Sequence, residues 1–410
     1  MAGRMSPDRP QRYLIEPEFL GRGFFPALSP QVMEPLTATD YPRLRAGDLA
    51  LTRHRGSFIR PCPATLQYNC CGLNIIHIGQ GCHLGCGYCV LTGYLGSEAV
   101  IRFGNFEEGL TEVAELLAAI KESEARKNQP GPFNPRAAEP GWAASGLTRP
   151  SAAAPSLTYP EPPLPPERSY RFCTGEFTDS LIFDQGFGVS ARLIELFRSS
   201  PQASLELKTK TREVSHLLGL DHGGRTVLSF SVNSPTIAAS LEARAAPLGD
   251  RLAAAGRAAA NGYPLGLHFD PIVYYPGWRE GYARAVGLMD QTIPWSRVAW
   301  ISLGCFRYQA PLKSLLLARP GSAKLFDAEF VRAPDGKYRY PRPLRQLLYG
   351  TILSYLKPRV DPRATIYLCM ESPRMWREVM GFDPTTQGLA TRFREPPLAS
   401  PWELCPNPPA

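Results

Sequence analysis

Apolar residues recur along this chain in two patterns. Short runs rich in β-branched and aromatic residues predict strands, and stretches with apolar side chains every three or four positions predict helices. The predicted strands are Leu73–Gly79, Tyr170–Thr174, Ser204–Thr209, Val227–Val232, Pro264–Phe269, Val298–Leu303 and Thr365–Cys369. The predicted helices are Glu107–Lys127, Val189–Arg198, Thr236–Ala260, Tyr282–Met289, Leu344–Leu356 and a short one near Met375.

Strand and helix patterns alternate between residues 66 and 310 in about six units,. This alternation predicts an α/β fold in which a parallel sheet, closed or partly closed as a barrel, is wrapped by helices. Prolines break the pattern over residues 1–65, which we expect to form an irregular arm or cap. Residues 311–410 are expected to add an α+β extension.

Residues 128–168 have a different composition, dense in proline with alanine, serine and glycine. Such a stretch favours an extended, largely disordered chain over packed structure. Because strands and helices continue to alternate on both sides of it, we interpret it as an insertion into the barrel and not as a boundary between domains.

The composition excludes two classes of protein. The 410-residue chain is 44% hydrophobic and 20% charged, but no window approaches the ~18 uncharged apolar residues of a membrane-spanning helix. The N-terminus has charges and prolines where a signal peptide has an apolar stretch,. We therefore expect a cytoplasmic protein whose ten cysteines are reduced thiols, some of them metal ligands,.

Three cysteines follow the first barrel strand at the spacing C-x-x-x-C-x-x-C, namely Cys82, Cys86 and Cys89. A structural zinc ion takes four protein ligands, commonly as two C-x-x-C pairs. A [4Fe–4S] cluster also takes four ligands, one for each iron, so three thiolates leave one iron open to a substrate. The spacing favours the cluster. A zinc site completed by His83 or a distant cysteine, or thiols that bind nothing, are the alternatives.

With Tyr88 inside it, this motif resembles that of the radical S-adenosylmethionine (SAM) superfamily. The resemblance implies a partial (β/α)6 TIM-type barrel and an open iron that chelates the amino and carboxylate groups of SAM. One electron then cleaves SAM to methionine and a 5′-deoxyadenosyl radical. Tyr88 would pack near the adenine of SAM, and an electron donor such as a flavodoxin or ferredoxin would be a partner.

Five sequence blocks narrow the resemblance to the spore photoproduct lyase family. They occur in the family's order and run from about Gly81 to Tyr282,. The blocks are GCHLGCGYCVLTGYLG, RFCTGEFTDSLIFD, LELKTKTREVSHLLGLDHGGRT, LSFSVN and GYPLGLHFDPIVYYPGWREGY.

The resemblance assigns SAM contacts to residues near the strand ends, where a parallel barrel has its active site. Gly175 and Glu176 match a Gly-Glu pair that receives the methionine ammonium, and Lys210 would contact the SAM carboxylate. The resemblance also implies that Ser231, Asn233 and Asp270 contact the ribose of SAM or the substrate. Taken alone, each of these residues is also ordinary turn, cap or surface chemistry.

Two departures from the family concern the hydrogen-transfer step. In the lyases that repair thymine dimers a cysteine returns a hydrogen atom to the product radical, and Glu176 stands at that position here. Cys173 is the nearest thiol, but strand alternation places it on the opposite face from Glu176 unless the chain kinks at Gly175. Cys305, at the end of the sixth strand, is an alternative donor. The second departure is Val90, which replaces a tyrosine of the radical relay.

The net charge of +8 suits a nucleic-acid partner without establishing one,. Aromatic and basic residues interleave at LFDAEFVRAPDGKYRYPR, which either stacks on bases or forms a β-hairpin around Asp335 and Gly336,. The sequence therefore predicts a radical SAM enzyme with an unidentified substrate, with DNA or RNA among the candidates and no membrane partner. The alternatives are photoproduct repair with a relocated donor cysteine and a non-catalytic metal-binding nucleic-acid protein.

Overall fold

The computed structural model describes residues 12–19, 33–36, 44, 48–62, 68–95, 99–127, 170–362 and 364–384. The predicted insertion at 128–168 lies outside these residues. Within the described ranges, no helix has the length and apolar character needed to cross a membrane.

The elements are numbered in chain order. The strands are β1 (Arg12–Ile15), β2 (Met33–Pro35), β3 (Asp48–Thr52), β4 (Ile59–Pro61), β5 (Asn74–Ile76), β6 (Gly79–Gln80), β7 (Val100–Phe103), β8 (Tyr170–Cys173), β9 (Ala203–Thr209), β10 (Thr226–Ser231), β11 (Leu265–Ile272), β12 (Val298–Cys305), β13 (Arg307–Gln309), β14 (Val331–Arg332), β15 (Lys337–Arg339) and β16 (Thr365–Leu368). The helices are α1 (Leu91–Leu95), α2 (Phe106–Lys127), α3 (Asp184–Phe187), α4 (Val189–Arg198), α5 (Pro235–Leu241), α6 (Leu248–Ala260), α7 (Trp278–Thr292), α8 (Leu312–Leu317), α9 (Arg342–Leu356) and α10 (Pro373–Met380).

The central sheet is a curled half-barrel of eight strands in the order β16-β12-β11-β10-β9-β8-β5-β4. Its strands are parallel except for β4, which pairs antiparallel with β5 at one edge. Helix α4 packs on β9 and β10, α6 packs on β10 and β11, and α9 packs on β12. The α/β partial barrel expected from the sequence is therefore confirmed.

Side-chain alternation separates the helix-covered face of this sheet from the barrel interior. In β9, Leu205 and Leu207 are fully buried in the apolar core. Glu206 and Lys208 alternate with them and point to the other face. The barrel interior is therefore lined by polar and charged side chains, which is where a ligand can be held.

Four described stretches within residues 1–65, where the prolines suggested irregular structure, form strands. Strands β1, β2 and β3 join β7 and β6 in a second sheet of order β2-β1-β3-β7-β6, and β1 pairs in parallel with both β2 and β3. Each N-terminal strand is only three to five residues long. Strands this short fit between the prolines and leave little alternation to detect.

The alanine-rich stretch predicted as one helix, Thr236–Ala260, is two helices. Helix α5 ends at Leu241, and α6 begins directly after Pro247. Proline lacks an N–H and is tolerated at a helix start but not in its interior, which explains the break. The residues between the two helices contact the cysteine loop, as described below.

The extension expected at 311–410 is partly merged with the barrel. Strand β16 is hydrogen bonded to β12 and forms the edge of the central sheet. Strands β13, β15 and β14 form a small antiparallel sheet, and the hairpin expected around Asp335 and Gly336 is present between β14 and β15.

Candidate active site at the strand ends

The cysteine motif lies on the loop between β6 and α1, and backbone contacts hold it against the break between α5 and α6. Gly87 N–H donates to the Leu241 carbonyl at 2.6 Å, and Cys86 forms a β-bridge with Glu242. Within the loop, Cys89 N–H donates to the Cys86 carbonyl at 3.0 Å. The loop geometry is therefore set by backbone groups.

Side chains from distant parts of the chain hold the same loop. The Arg244 guanidinium donates to the His83 carbonyl, and the Arg319 guanidinium donates to the Cys86 carbonyl. The Ser322 hydroxyl donates to the Gly87 carbonyl at 3.0 Å. These three side-chain contacts are all made to backbone carbonyls, which leaves the thiols to act as ligands.

The thiols of Cys82, Cys86 and Cys89 are free. No three His, Cys, Asp or Glu side chains in the described part of the chain converge closely enough to hold a single metal ion. Cysteines around a [4Fe–4S] cluster bind separate irons and need not converge on one ion. The donor set, three thiols on one clamped loop, fits the cluster.

A positive charge lies beside the motif. Burial raises the pKa of the Cys86 thiol to about 12, and Lys210 opposes this rise. The Lys210 ammonium is 5.7 Å from the centre of the Tyr88 ring. Its backbone N–H donates to Asp179 at 2.7 Å, which fixes the chain at this strand end. The Lys210 ammonium therefore lies where its positive charge would stabilise cysteine thiolates and the carboxylate of SAM.

Tyr88 is buried and tied to a fully buried ion pair. Its hydroxyl donates to Glu242, whose other oxygen accepts from the Arg251 guanidinium. The packing of Tyr88 against adenine remains a prediction, but this network fixes the orientation of its ring. Glu242 and Arg251 were not identified from the sequence, because both fall within a stretch predicted to be an ordinary helix.

Strand β8 ends at Cys173, and the chain bends at Thr174, so strand alternation does not extend to Glu176. The Glu176 carboxylate lies 3.7 Å from the Lys208 ammonium. Burial is the largest single effect on Lys208 and lowers the pKa of its ammonium, but Glu176, Cys173 and the other nearby acidic groups together outweigh burial and raise this pKa. The bend thus brings Cys173 and Glu176 to the same cation.

Gly175 is required for a reason different from the one expected. A Cβ at this position would lie 3.0 Å from the Lys208 carbonyl and 2.9 Å from the Ser180 hydroxyl. Glycine is therefore needed here for the close approach of the bend to β9. The role assigned to Gly175 in SAM binding remains a prediction.

Ser231 and Asn233 are both buried near the strand ends. Ser231 lies opposite His268 in the sheet register. The Asn233 amide donates to the Pro271 carbonyl at 3.0 Å and accepts from the Tyr282 hydroxyl at 2.9 Å. Asn233 therefore holds the turn after β11, and a direct contact to the ribose would compete with these bonds.

Asp270 forms an ion pair across the barrel interior. Both its oxygens accept from the Arg307 guanidinium, at 3.3 and 3.4 Å. Gly304 makes room for this pair, since a Cβ there would lie 2.7 Å from the Asp270 carboxyl carbon. The guanidinium also reaches the Cys369 sulfur, at 3.7 Å. Arg307 and Cys369 are interior residues that the sequence analysis did not identify.

The position of Cys305 requires a correction. Its N–H donates to the Tyr349 hydroxyl at 2.9 Å, and the groups that act on its thiol are first Glu371, then Tyr349 and Arg345 on α9, and last Arg307. Gly304, not Cys305, faces Asp270. A strand end carries side chains on two faces, and Cys305 lies on the helix-covered one.

A fully buried carboxylate, Glu206, organises the barrel interior below these residues. It accepts from His268 at 2.6 Å, from Ser229 at 2.6 Å and from Trp300 at 2.9 Å, and it pairs with Arg171 at 3.3 Å. Burial alone would raise the pKa of this carboxyl, but the donors hold it well below its usual range. His268 is thus a hydrogen-bonded strand histidine.

Comparisons with known proteins agree with this geometry. A family model described as spore photoproduct lyase matches residues 166–346. The spore photoproduct lyase of Geobacillus sp. (strain Y412MC61) is 25% identical over 383 residues, covering 88% of this chain and 99% of the relative. That of Bacillus subtilis (strain 168) is 32% identical over 173 residues, 40% of this chain and 51% of the relative. The chain is therefore similar to spore photoproduct lyases.

Solved structures of spore photoproduct lyase share the fold. One, complexed with dinucleoside spore photoproduct, aligns with a TM-score of 0.62 at 19% identity and covers 88% of this chain and 99% of that chain. Another, a variant with bound AdoMet and the same dinucleoside, aligns with a TM-score of 0.65 at 19% identity and the same coverage. The proteins named in these comparisons are spore photoproduct lyases.

Proposed function

We propose that this chain is a radical SAM enzyme that holds a [4Fe–4S] cluster through Cys82, Cys86 and Cys89 and removes a hydrogen atom from its substrate. The main support is the clamped three-cysteine loop beside the Lys210 ammonium at the strand ends of a half-barrel. When bound, the cluster supplies the electron that cleaves SAM to methionine and a 5′-deoxyadenosyl radical. An electron donor such as a flavodoxin or ferredoxin is part of this proposal.

The charged side chains of the site match the two charged groups of the methionine moiety of SAM. Lys210 would pair with its carboxylate and Glu176 with its ammonium. The Glu176 side chain is 34% exposed and already pairs with Lys208, so SAM would share this carboxylate with Lys208. The buried ion pairs of the interior would keep water from the reacting atoms.

A second candidate, photoproduct repair, is favoured by the position of Cys173. This thiol is fully buried on the interior face, and burial raises its pKa to about 12. It is therefore a neutral S–H group at pH 7, the form that can return a hydrogen atom to a product radical. Cys305 has no part in this proposal, because it faces α9.

Anaerobic reconstitution with iron and sulfide tests the radical SAM proposal. We expect a brown protein with cluster absorption that releases 5′-deoxyadenosine from SAM under reductant. Cys86→Ala should lose both signals, whereas Cys62→Ser, which changes a thiol outside the motif, should keep them. Colourless, zinc-loaded protein that leaves SAM intact would reject the proposal.

Turnover of dinucleoside spore photoproduct tests the repair candidate separately. With the cluster loaded, repair predicts that thymine forms and that Cys173→Ala lowers its yield at least tenfold while 5′-deoxyadenosine is still released. Release of 5′-deoxyadenosine without any thymine would reject repair and leave the radical SAM proposal standing.

A further inference from the structure

Four cysteines outside the cluster motif lie where the segment before β5 meets the end of β16. Asn69 forms an antiparallel bridge with Glu371, a register that sets residue 71 opposite residue 369. Cys62, the residue after β4, donates its N–H to the Leu73 carbonyl at 2.8 Å. This bond holds Cys62 beside the segment that precedes β5. The cysteines brought together are Cys62, Cys70, Cys71 and Cys369.

Three of these thiols are in direct contact. The Cys70 side chain is hydrogen bonded to those of Cys62 and Cys71. All three are free and partly exposed, unlike the buried Cys173 and Cys305. Two thiols in contact are the reactants of disulfide formation, so pairwise thiol chemistry is open to this group.

We propose that Cys62 and Cys70 form a redox-active pair that closes reversibly to a disulfide by exchange with a small-molecule or protein disulfide. Cys70 and Cys71 are a poor pair by comparison, because adjacent Cα atoms are about 3.8 Å apart whereas disulfides span ~4.4–6.8 Å. Cys62 and Cys70 are eight positions apart and already touch, so they can reach disulfide geometry without refolding of the barrel.

The exchange proceeds in two balanced steps. The Cys62 thiolate attacks the incoming disulfide, which releases one of its sulfurs as a thiolate and leaves a mixed disulfide on Cys62. The Cys70 thiolate then attacks the Cys62 sulfur, which closes the Cys62–Cys70 disulfide and releases the second sulfur of the incoming disulfide as a thiolate. The hydrogen bond to Cys62 raises the pKa of Cys70 to about 11, which favours Cys62 as the first nucleophile. Two electrons and two protons pass from the pair to the oxidant, which becomes two thiols.

Closure would tie the residue that follows β4 to the segment that bridges to Glu371. Cys71 follows the pair directly and lies within the electrostatic reach of Arg171 and Glu206 in the barrel interior. Asn69 directly precedes Cys70, and its backbone N–H donates to the Glu371 carbonyl at 2.9 Å. The redox state of the pair would thus act on the wall of the barrel and not on the cysteine motif.

Peptide mapping of the reconstituted protein tests this proposal. The protein is incubated anaerobically with oxidised glutathione, alkylated and cleaved with chymotrypsin, which cuts after Leu66, Tyr68 and Leu73 and so separates Cys62 from Cys70. We expect a linked pair of peptides in most molecules, which dithiothreitol separates, with the cluster absorption unchanged.

Variants decide which thiols are joined. Cys71→Ser and Cys369→Ser should keep the linked peptides, and Cys70→Ser should lose them and leave a glutathione adduct on Cys62. The proposal is overturned if Cys70→Ser still gives the link, if Cys71→Ser abolishes it, or if glutathione adducts form on wild-type protein without any link.

Discussion

Charged residues two positions apart mark the functional face of β9. Glu206 and Lys208 lie at alternate positions in β9, and Lys210 follows directly after the strand ends. Glu206 ties the interior together, Lys208 pairs with Glu176, and Lys210 reaches the cysteine loop. Charges at alternate positions of a buried strand indicate a lined cavity, and this signal in the sequence could have identified Glu206 and Lys208.

Glu176→Gln tests the proposed ammonium contact. Loss of the charge should weaken SAM binding at least tenfold, since a charge-assisted hydrogen bond contributes about 1.5–3 kcal/mol. The cluster absorption should be unchanged, because Glu176 is not on the cysteine loop. Titration of the reconstituted protein with SAM measures the effect. Glu195→Gln, on an exposed helix position, is the control, and equal affinities of both variants would contradict the assignment.

The face of the sheet on which a side chain lies could be predicted from the sequence only where the strands are regular. Alternation does not hold past Cys173, because the chain bends at the next residue. It does separate Gly304 from Cys305, but the sequence did not reveal which of the two faces the interior. Asp270 and its neighbour Gly304 decide this through their close contact, which depends on the pairing of β11 with β12.

At the scale of elements, the break between α5 and α6 supports the cysteine loop. Leu241 supplies a carbonyl to the loop, and Glu242 supplies a buried carboxylate to Tyr88. The periodicity of the alanine-rich stretch predicted one helix, since alanine favours helix at nearly every position. Tertiary contacts with the loop compensate for the helical hydrogen bonds lost at the break.

Glu242→Gln tests this support. Replacing the carboxylate leaves Arg251 buried without its counter-charge, and breaking such a pair costs about 3 kcal/mol. Denaturant unfolding should show this loss, whereas Glu280→Gln on the exposed start of α7 should change the unfolding free energy by less than about 0.5 kcal/mol. A stability equal to that of wild type would show that the pair is not coupled to the fold.

The contact between the two sheets contains a histidine that should make the fold sensitive to acid. His77 packs against the rings of His54 and Phe103, each 5.0 Å away. Burial lowers its pKa to about 4, with smaller contributions from His54 and Arg60. Because this folded value lies below the unfolded value of about 6.5, protonation favours the unfolded chain. The part of the stability that depends on neutral His77 is fully present above pH 6.5 and is lost as the pH falls toward 4,.

His77→Phe should remove this part of the acid sensitivity. Between pH 6.5 and 4, the unfolding free energy of the wild type should fall by up to about 3 kcal/mol more than that of the variant. Thermal or denaturant unfolding at several pH values measures the difference. Parallel pH profiles of the two proteins would show that His77 does not titrate with folding.

For the whole molecule, the net charge of +8 predicts a salt-dependent affinity for nucleic acid,. Duplex and single-stranded DNA should bind at low ionic strength, and the logarithm of the affinity should fall linearly with the logarithm of the salt concentration. Fluorescence anisotropy with labelled oligonucleotides measures the slope. An affinity independent of salt, or no binding at low salt, would show that the positive charge of the protein does not produce binding to nucleic acid.

The barrel could be predicted as a whole, whereas the N-terminal sheet could not. Predicted helices such as Val189–Arg198 have the observed bounds, because long amphipathic patterns carry a strong signal. Of the strands before residue 53, β1 pairs with β2 and β3, and β3 pairs with β7, which lies about fifty residues later in the chain,. Sequence patterns within a short window do not report such pairing.

The clamp on the cysteine loop also sets an order for biosynthesis. The Arg319 and Ser322 side chains that hold Cys86 and Gly87 follow them by more than 230 residues. Most of the chain must therefore leave the ribosome before the loop is fully held. We expect iron and sulfide delivery to follow translation of the barrel, so that a chain stalled before residue 319 would present its three cysteines in an unclamped loop.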